Sequence, residues 1–374
     1  MTVSPVVEPT GAPGADPITW QDAAREAAFW RWLTPLLPKF GLDAGSLAPA
    51  SADASFRRYF RLRSRRASSP SMVVMDAPPP LEDVQPFVDI AGRIRRAGLN
   101  GPELMAADVA NGFLLLGDLG QTLYLDALNA CEAAGDAAGS DRLMRDAVSA
   151  LLHWQQHVDP AGLPEYDEAL LQRELALFPQ WCVQAEFGIT WTTPQRALWD
   201  RLCQRLVDSA LAQPQVAVHR DWMPRNLMVA QPNPGILDFQ DAVRGPVTYD
   251  LACLLRDAFI SWDEERELDW AARWWAQARN TPWLQGHAFA DDFGECWRAT
   301  EWMGLQRHLK VLGIFCRLKH RDGKPRYTSD LPRFLTYATK VALRYVELKP
   351  LMTLIEPLGE KLGLTLTTTG VSMR

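Results

Sequence analysis

The chain has 374 residues, 47% of them hydrophobic and 22% charged, with a formal net charge of -6. That is enough chain for two lobes with a sizeable core, and the acidic balance excludes the general basic field with which nucleic-acid binders hold phosphate, so an anionic ligand must be met by local positive groups. No run reaches the roughly 18 apolar residues of a membrane span, and six scattered cysteines without a C-x-x-C pair argue against a zinc site or disulfide framework and for a reducing, cytoplasmic setting.

Residues 1–18 are rich in Pro, Gly and Ala and lack the basic start and apolar run of a signal peptide; they read as a flexible leader. Thr19 to Asp22 resembles a capping box ahead of a helix to about Leu37, with Gly41 as its stop. Ser55 to Leu62 alternates like a strand, and Met72 to Met75 reads as a second strand after a polar turn. A helix is expected from Val84 to Ala97, ending near Gly98. Asn111-Gly112 is a two-residue turn signal joining strands near Leu104 to Val109 and Phe113 to Leu116. Gly117-Asp118-Leu119 then reads as a hinge out of a small sheet.

Beyond the hinge the pattern is mostly helical. Helices are expected over Asp141 to His157, Asp167 to about Phe178, Gln195 to Ala212, Leu251 to Phe259, Glu264 to Arg279, Ala290 to Leu312 and Pro332 to Leu348. A β-rich island interrupts them at Val216 to Val218, Leu227 to Val229 and Gly235 to Leu237. The fold class is therefore α+β. An N-lobe over 19–116 would bind nucleotide, and a larger helical C-lobe over 117–374 would carry the chemistry and the acceptor.

The island carries the chemistry. It reads His219-Arg220-Asp221 with Asn226 five residues after the Asp, then Asp238-Phe239 twelve residues after the Asn. Phosphoryl transfer needs a group that orients and deprotonates the attacking hydroxyl, and it needs Mg²⁺ held against the phosphates of ATP. Asp221 fits the base, while Asn226 and Asp238 offer the hard oxygens that suit Mg²⁺. Any one of these residues alone would be an ordinary capped turn. The three together, at this spacing and between apolar strands, form a specific signal.

The loop, the Asp-Phe turn and Gly245 to Ala252, which contains Tyr249-Asp250-Leu251-Ala252, resemble the aminoglycoside phosphotransferase and choline kinase branch of the protein-kinase-like fold. The resemblance implies that Asp250 braces the catalytic loop through its backbone. Ser51 to Phe60, Met75 to Pro79, Asp238 to Ala242 and Gln306 to Phe315 further resemble the bacterial anomeric amino-sugar kinases, over about Ala23 to Tyr345. That family, by resemblance, uses ATP to make the α-1-phosphate of N-acetylmuramate or N-acetylglucosamine, on a recycling route for peptidoglycan fragments. A hemiacetal hydroxyl is more acidic than an ordinary alcohol, so a carboxylate base suffices.

The chain departs from kinase expectation in one respect. No lysine lies between Lys39 and Lys310, so the usual phosphate-binding lysine is missing. Backbone amides of the Ala52 to Phe56 turn, which includes Ser55, or one of Arg57, Arg58 and Arg61, or mainly Mg²⁺, must take its place; Arg58 shares strand parity with Phe60 and Leu62. Adenine is expected against Gly117, Asp118 and Leu119. For the sugar, Glu174, Trp181, Asp241 and Arg307 are the candidates, with Arg307 suited to a lactyl carboxylate. Two rivals stay open: a kinase for another small alcohol, such as an aminoglycoside or choline, and a catalytically silent relative that only binds nucleotide. A protein kinase does not fit, because no peptide-docking loop separates Asp238 from Tyr249. No protein, membrane or nucleic-acid partner is called for.

Overall fold

The computed structural model describes residues 18–20, 22–52, 56–66, 69–79, 81–367 and 370–373. The expected leader and Ser55 lie outside them. The chain divides into two compact units: Met1–Thr122 with Met228–Gln240, and Leu123–Leu227 with Asp241–Arg374.

The first unit is built on a five-stranded antiparallel sheet. Its strands are β1 (Ala48–Ala52), β2 (Arg58–Arg66), β3 (Ser69–Asp76), β4 (Leu104–Asp108) and β5 (Phe113–Gly117), in the spatial order β1-β2-β3-β5-β4. Phe60 faces Val74 and Val74 faces Leu115 across the ladders, so one sheet face is a continuous apolar row. Helix α1 (Ala23–Leu33) covers that face with Phe29 and Leu33, both fully buried. Its cap is Asp22, which accepts from the Arg25 N–H at 2.6 Å, and not the expected Thr19. The helix also stops earlier than expected: Pro35 separates it from α2 (Leu36–Phe40), because proline brings no N–H to the helical ladder.

Helix α3 (Gln85–Arg96) and the Asn111-Gly112 hairpin lie where the sequence put them. Gly112 has φ +69°, and a Cβ there would lie 1.9 Å from the Ala77 carbonyl oxygen, so the turn admits only glycine. Strand β1 was not anticipated; its Ala-Pro-Ala-Ser-Ala sequence has no strand signature and is recruited by pairing with β2. Residues 228–240 return to this unit, tied by Val229 N–H to Thr122 O at 2.9 Å and by Ile236 N–H to Asn100 O at 2.7 Å.

The second unit is mainly helical. It opens with α4 (Tyr124–Ala134), also unanticipated, and α5 (Ala137–His157). Then come α6 (Glu168–Leu175), π-helical turns over Phe178–Glu186 and α7 (Thr193–Leu211), which starts with a full capping box at Thr192 and Gln195. Strand β6 (Gln215–Val218) follows. Its partner is Val243–Pro246, running antiparallel, and not the following segment of the island. Helix α5 fixes this ribbon: buried Trp154 donates to Ala217 O and Gln155 to Val247 O, both at 2.9 Å. Helices α8 (Tyr249–Leu255) and α9 (Glu264–Ala278) lead to the long helix Phe293–His320. The last is buried along most of its length, and at Gly313 it approaches the backbone of Leu177 so closely that a Cβ would meet its carbonyl carbon at 2.4 Å.

Candidate active site

In the second unit the loop of His219, Arg220 and Asp221 leaves β6 at Val218. Its start is held by a buried carboxylate: Asp250, in the first turn of α8, accepts the N–H of His219 at 2.7 Å and that of Arg220 at 2.9 Å. This is the brace that the Tyr-Asp-Leu-Ala segment implied. Burial drives the Asp250 carboxyl up to about 7, against the pull of those two N–H groups and with the push of Asp221. Arg220 takes φ +77°, a left-handed conformation that an arginine adopts only under constraint. Fully buried His219 and Trp222 pack with Trp154, with ring centroids 5.4–5.8 Å apart.

Past that bend, Asp221 is half-buried. Asn226 turns back on it, its amide Nδ2 donating to the Asp221 carbonyl at 3.0 Å. Asn226 also carries an amide oxygen, and an amide oxygen is a hard ligand.

Glu174, expected at the sugar, is otherwise engaged. Its Oε1 receives Arg220 at 2.6 Å and Lys310 at 2.8 Å, and its Oε2 receives the Tyr166 hydroxyl and Gln306. Four protein donors fill a carboxylate's lone-pair sites. Burial resists the charge, yet Lys310 and Arg220 win, and the carboxyl is held down to about 2. Glu174 thus braces the loop arginine, and its contacts here are all with protein donors. Arg307 lies in the same unit, 3% exposed, where it feels the charge of Asp221. Trp181 is half-buried in the π-helical turns, and Asp241 is exposed.

In the first unit, Asp238 ends the Gly235–Ile236 segment at φ +59° and accepts from Gln240 Nε2 at 2.8 Å. Phe239 beside it is fully buried against Phe87 of α3, which anchors the turn. The arginines sort themselves by partner. Arg58 does face the α1 side, as its parity predicts, but there it meets fully buried Asp76, which also receives Arg25; its guanidinium further bonds the Thr19 carbonyl and stacks on Trp20 at 4.6 Å. In this structure the Arg58 guanidinium is engaged by protein groups, not by a phosphate-binding surface. Arg61 is held by Asp118 at 2.5 Å. Asp118 in turn takes Ser71 and the Gly120 N–H, and despite burial these bonds keep its carboxyl below the ordinary range. Arg57 is different: it pairs with Glu82 at 3.0 Å and also feels Asp238; against burial, Tyr59, Glu82 and Asp238 raise its pKa. Phe56 is 57% exposed, with its N–H on Glu82 at 3.1 Å, and the Gly117 N–H is spent on Glu103 O at 2.8 Å. Leu119 follows Asp118 in the same stretch, and its side chain packs close to Gly235.

A strand-borne His-Arg-Asp loop clamped by a buried acid defines a phosphotransferase of the protein-kinase-like class. The model of the phosphotransferase enzyme family matches residues 46–293. Among solved structures, a choline/ethanolamine kinase family protein from Mesorhizobium loti aligns with TM-score 0.57 at 14% identity, over 87% of this chain and 96% of that one. An aminoglycoside phosphotransferase bound to streptomycin and ATP aligns with TM-score 0.52 at 13% identity, over 84% and 97%. Much nearer in sequence are proteins named N-acetylmuramate/N-acetylglucosamine kinase. The one from Pseudomonas putida is 52% identical, over 85% of this chain and 89% of its own. That from Pseudomonas aeruginosa is 48% identical over 91% and 98%, and that from Neisseria meningitidis 43% over 90% and 97%. The chain belongs to this kinase family.

Sequence reasoning missed Lys310, Tyr166 and Gln306 around Glu174, Arg25 on Asp76, and buried Asp257. Lys310 had a signal, since it lies one helical turn from Arg307; the others are brought in by distant chain.

Proposed function

We propose that this kinase transfers the γ-phosphoryl of ATP to the C1 hydroxyl of N-acetylmuramate and N-acetylglucosamine. The observation that carries the chemistry is the clamped loop: Asp250 on two successive N–H groups and Asn226 on the Asp221 carbonyl fix a half-buried carboxylate at a strand end. The names of the relatives support the acceptor.

Asp221 orients the anomeric hydroxyl and takes its proton as the phosphoryl group departs ATP. Asn226 and Asp238 are the residues that would hold Mg²⁺. Among the described residues no cluster of three or more His, Cys, Asp or Glu is available for a metal. An ion between Asn226 and Asp238 would take two protein oxygens and complete its shell with nucleotide phosphates and water. Bound there, Mg²⁺ would neutralise the phosphate charge. Arg57, the arginine that feels Asp238, replaces the missing lysine at the phosphates. Adenine lies against the backbone of Gly117 to Leu119. Arg307 faces the acceptor, with Trp181 and Asp241 as further candidates for it. ATP and a soluble sugar as reactants suit a cytoplasmic setting, and among the described residues no helix is long and apolar enough to cross a membrane.

Phosphorus NMR of the purified chain with ATP, Mg²⁺ and either sugar tests this reading, with choline and an aminoglycoside in parallel. A sugar 1-phosphate signal growing in step with ADP is expected. Turnover of choline or the aminoglycoside alone would reassign the acceptor, and silence on all four with ATP still bound would make the chain a nucleotide-binding protein only.

A further inference from the structure

Arg307 is the one large cation of the second unit that is buried without a hydrogen bond to any described residue. It is 3% exposed and its Nη1 has no partner. Other buried charges nearby have charged partners: Glu174 takes four donors, and Arg256 pairs with Glu267 at 3.0 Å and Glu301 at 2.8 Å, leaving only its Nη1 without one. Fully buried Asp257, just past α8, shows the complementary vacancy. Its Oδ2 accepts the Phe259 N–H at 3.2 Å, while its Oδ1 has no partner. The two charges attract each other, yet no hydrogen bond joins them. His308, next to Arg307 on the long helix, lies 3.3 Å from the Arg256 carbonyl, so this turn packs on the segment that carries Asp257, and Cys253 of α8 lies 3.7 Å from the carbonyl of Arg220, the residue before Asp221; Arg307 feels the charge of Asp221 as well. Arg333 is the other cation that Asp257 feels. A buried donor and a buried acceptor, both left open next to a catalytic carboxylate, are what a polar ligand would complete.

Taking the sugar-kinase reading above as its basis, we propose that Asp257 and Arg307 are the recognition pair for the sugar. Arg307 donates to a sugar oxygen, and Asp257 accepts from a hydroxyl or from the acetamide N–H. Asp257 has a second effect. A lone buried guanidinium would favour the lactyl carboxylate of N-acetylmuramate over neutral N-acetylglucosamine by a large factor. Asp257 cancels that charge, so the pocket gives the anionic sugar no premium and accepts both. Asp257 is in this sense a specificity-determining residue, and Arg307 reads the part the two sugars share.

The test compares kcat/KM for both sugars in the full chain and in Asp257→Asn, which keeps shape and hydrogen-bonding capacity but removes the charge. The ratio for N-acetylmuramate over N-acetylglucosamine is expected to rise about tenfold, the effect of one uncompensated charge on a ligand charge several ångströms away. The KM for ATP should stay within about twofold, since the pair does not touch nucleotide. An unchanged ratio, as expected if only water bridges the two groups, overturns the proposal. A second arm uses the unaltered enzyme and so does not depend on the variant folding: N-acetylmuramate against its uncharged lactyl amide. Values within about threefold support the balanced pair, and a loss of tenfold or more for the amide overturns it. If the unaltered enzyme phosphorylates neither sugar, the sugar-kinase reading falls first and the pair falls with it. If it turns over both and the ratio stays put, only the pair is refuted.

Discussion

Replacing Glu174 by glutamine should weaken the fold and slow turnover, while leaving nucleotide binding alone. The carboxylate neutralises Arg220 at 2.6 Å and Lys310 at 2.8 Å, and its side chain is only 7% exposed, so solvent screens little of the interaction. Its carboxyl is held down to about 2 from an ordinary 4.5, a gap worth on the order of 3 kcal/mol. Removing one member of a buried ion cluster typically costs about 3–5 kcal/mol, because the remaining charges lose their partner. Glutamine keeps one acceptor oxygen, so the lower end, about 3 kcal/mol, is expected. Urea unfolding followed by tryptophan fluorescence reads it. Arg220 is held at φ +77° in the loop that carries Asp221, so freeing its guanidinium loosens the base. The expected kinetic result is a fall of about ten- to a hundredfold in kcat, with the KM for ATP within about twofold. An unfolding free energy within about 0.5 kcal/mol of the parent, joined to a raised sugar KM at unchanged kcat, would refute the bracing role and return Glu174 to the substrate.

Three further outcomes follow from named contacts. Asp221→Asn should cut kcat by at least about a thousandfold while ATP binding, measured by calorimetry, stays within about threefold; normal turnover would remove Asp221 from the mechanism. The Glu174 cluster should carry an acid signature. Its folded carboxyl lies below the unfolded value, so its stabilisation is complete above about pH 4.5 and is lost as pH falls toward about 2. The stability gap between parent and Glu174→Gln should therefore close over that window, and a gap that widens on acidification would contradict the assignment. Gly313→Ala should lower the melting temperature by several degrees, for about 1–3 kcal/mol, because the new methyl would lie 2.4 Å from the Leu177 carbonyl carbon. An unshifted melting curve would show that the two segments part at no cost.

Much of the site was legible in sequence because its signals are local. Asp221 and Asn226 lie five residues apart on one loop, and Asp238-Phe239 closes the next turn. Asn111-Gly112 announces its hairpin by backbone preference alone. Asp250, read as the start of a helix, lies in the first turn of α8 and also reaches the loop backbone.

Tertiary structure decided the matters of pairing between distant residues. Strand parity put Arg58 on the right face, but only the fold shows that Arg25 and Arg58 share Asp76, from 51 and 18 residues away. Glu174, a sugar candidate in the sequence, is met by Lys310 and Gln306 from more than 130 residues along the chain, which no local pattern shows. Asp257 had no motif at all; what singles it out is burial with an open oxygen, a property no spacing encodes. Spacing and propensity act over one turn of helix or one hairpin, so they reveal which chemistry the loop carries. Which charges are satisfied and which are left open depends on long-range packing, and in this protein that difference separates the braces from the candidate sugar contacts.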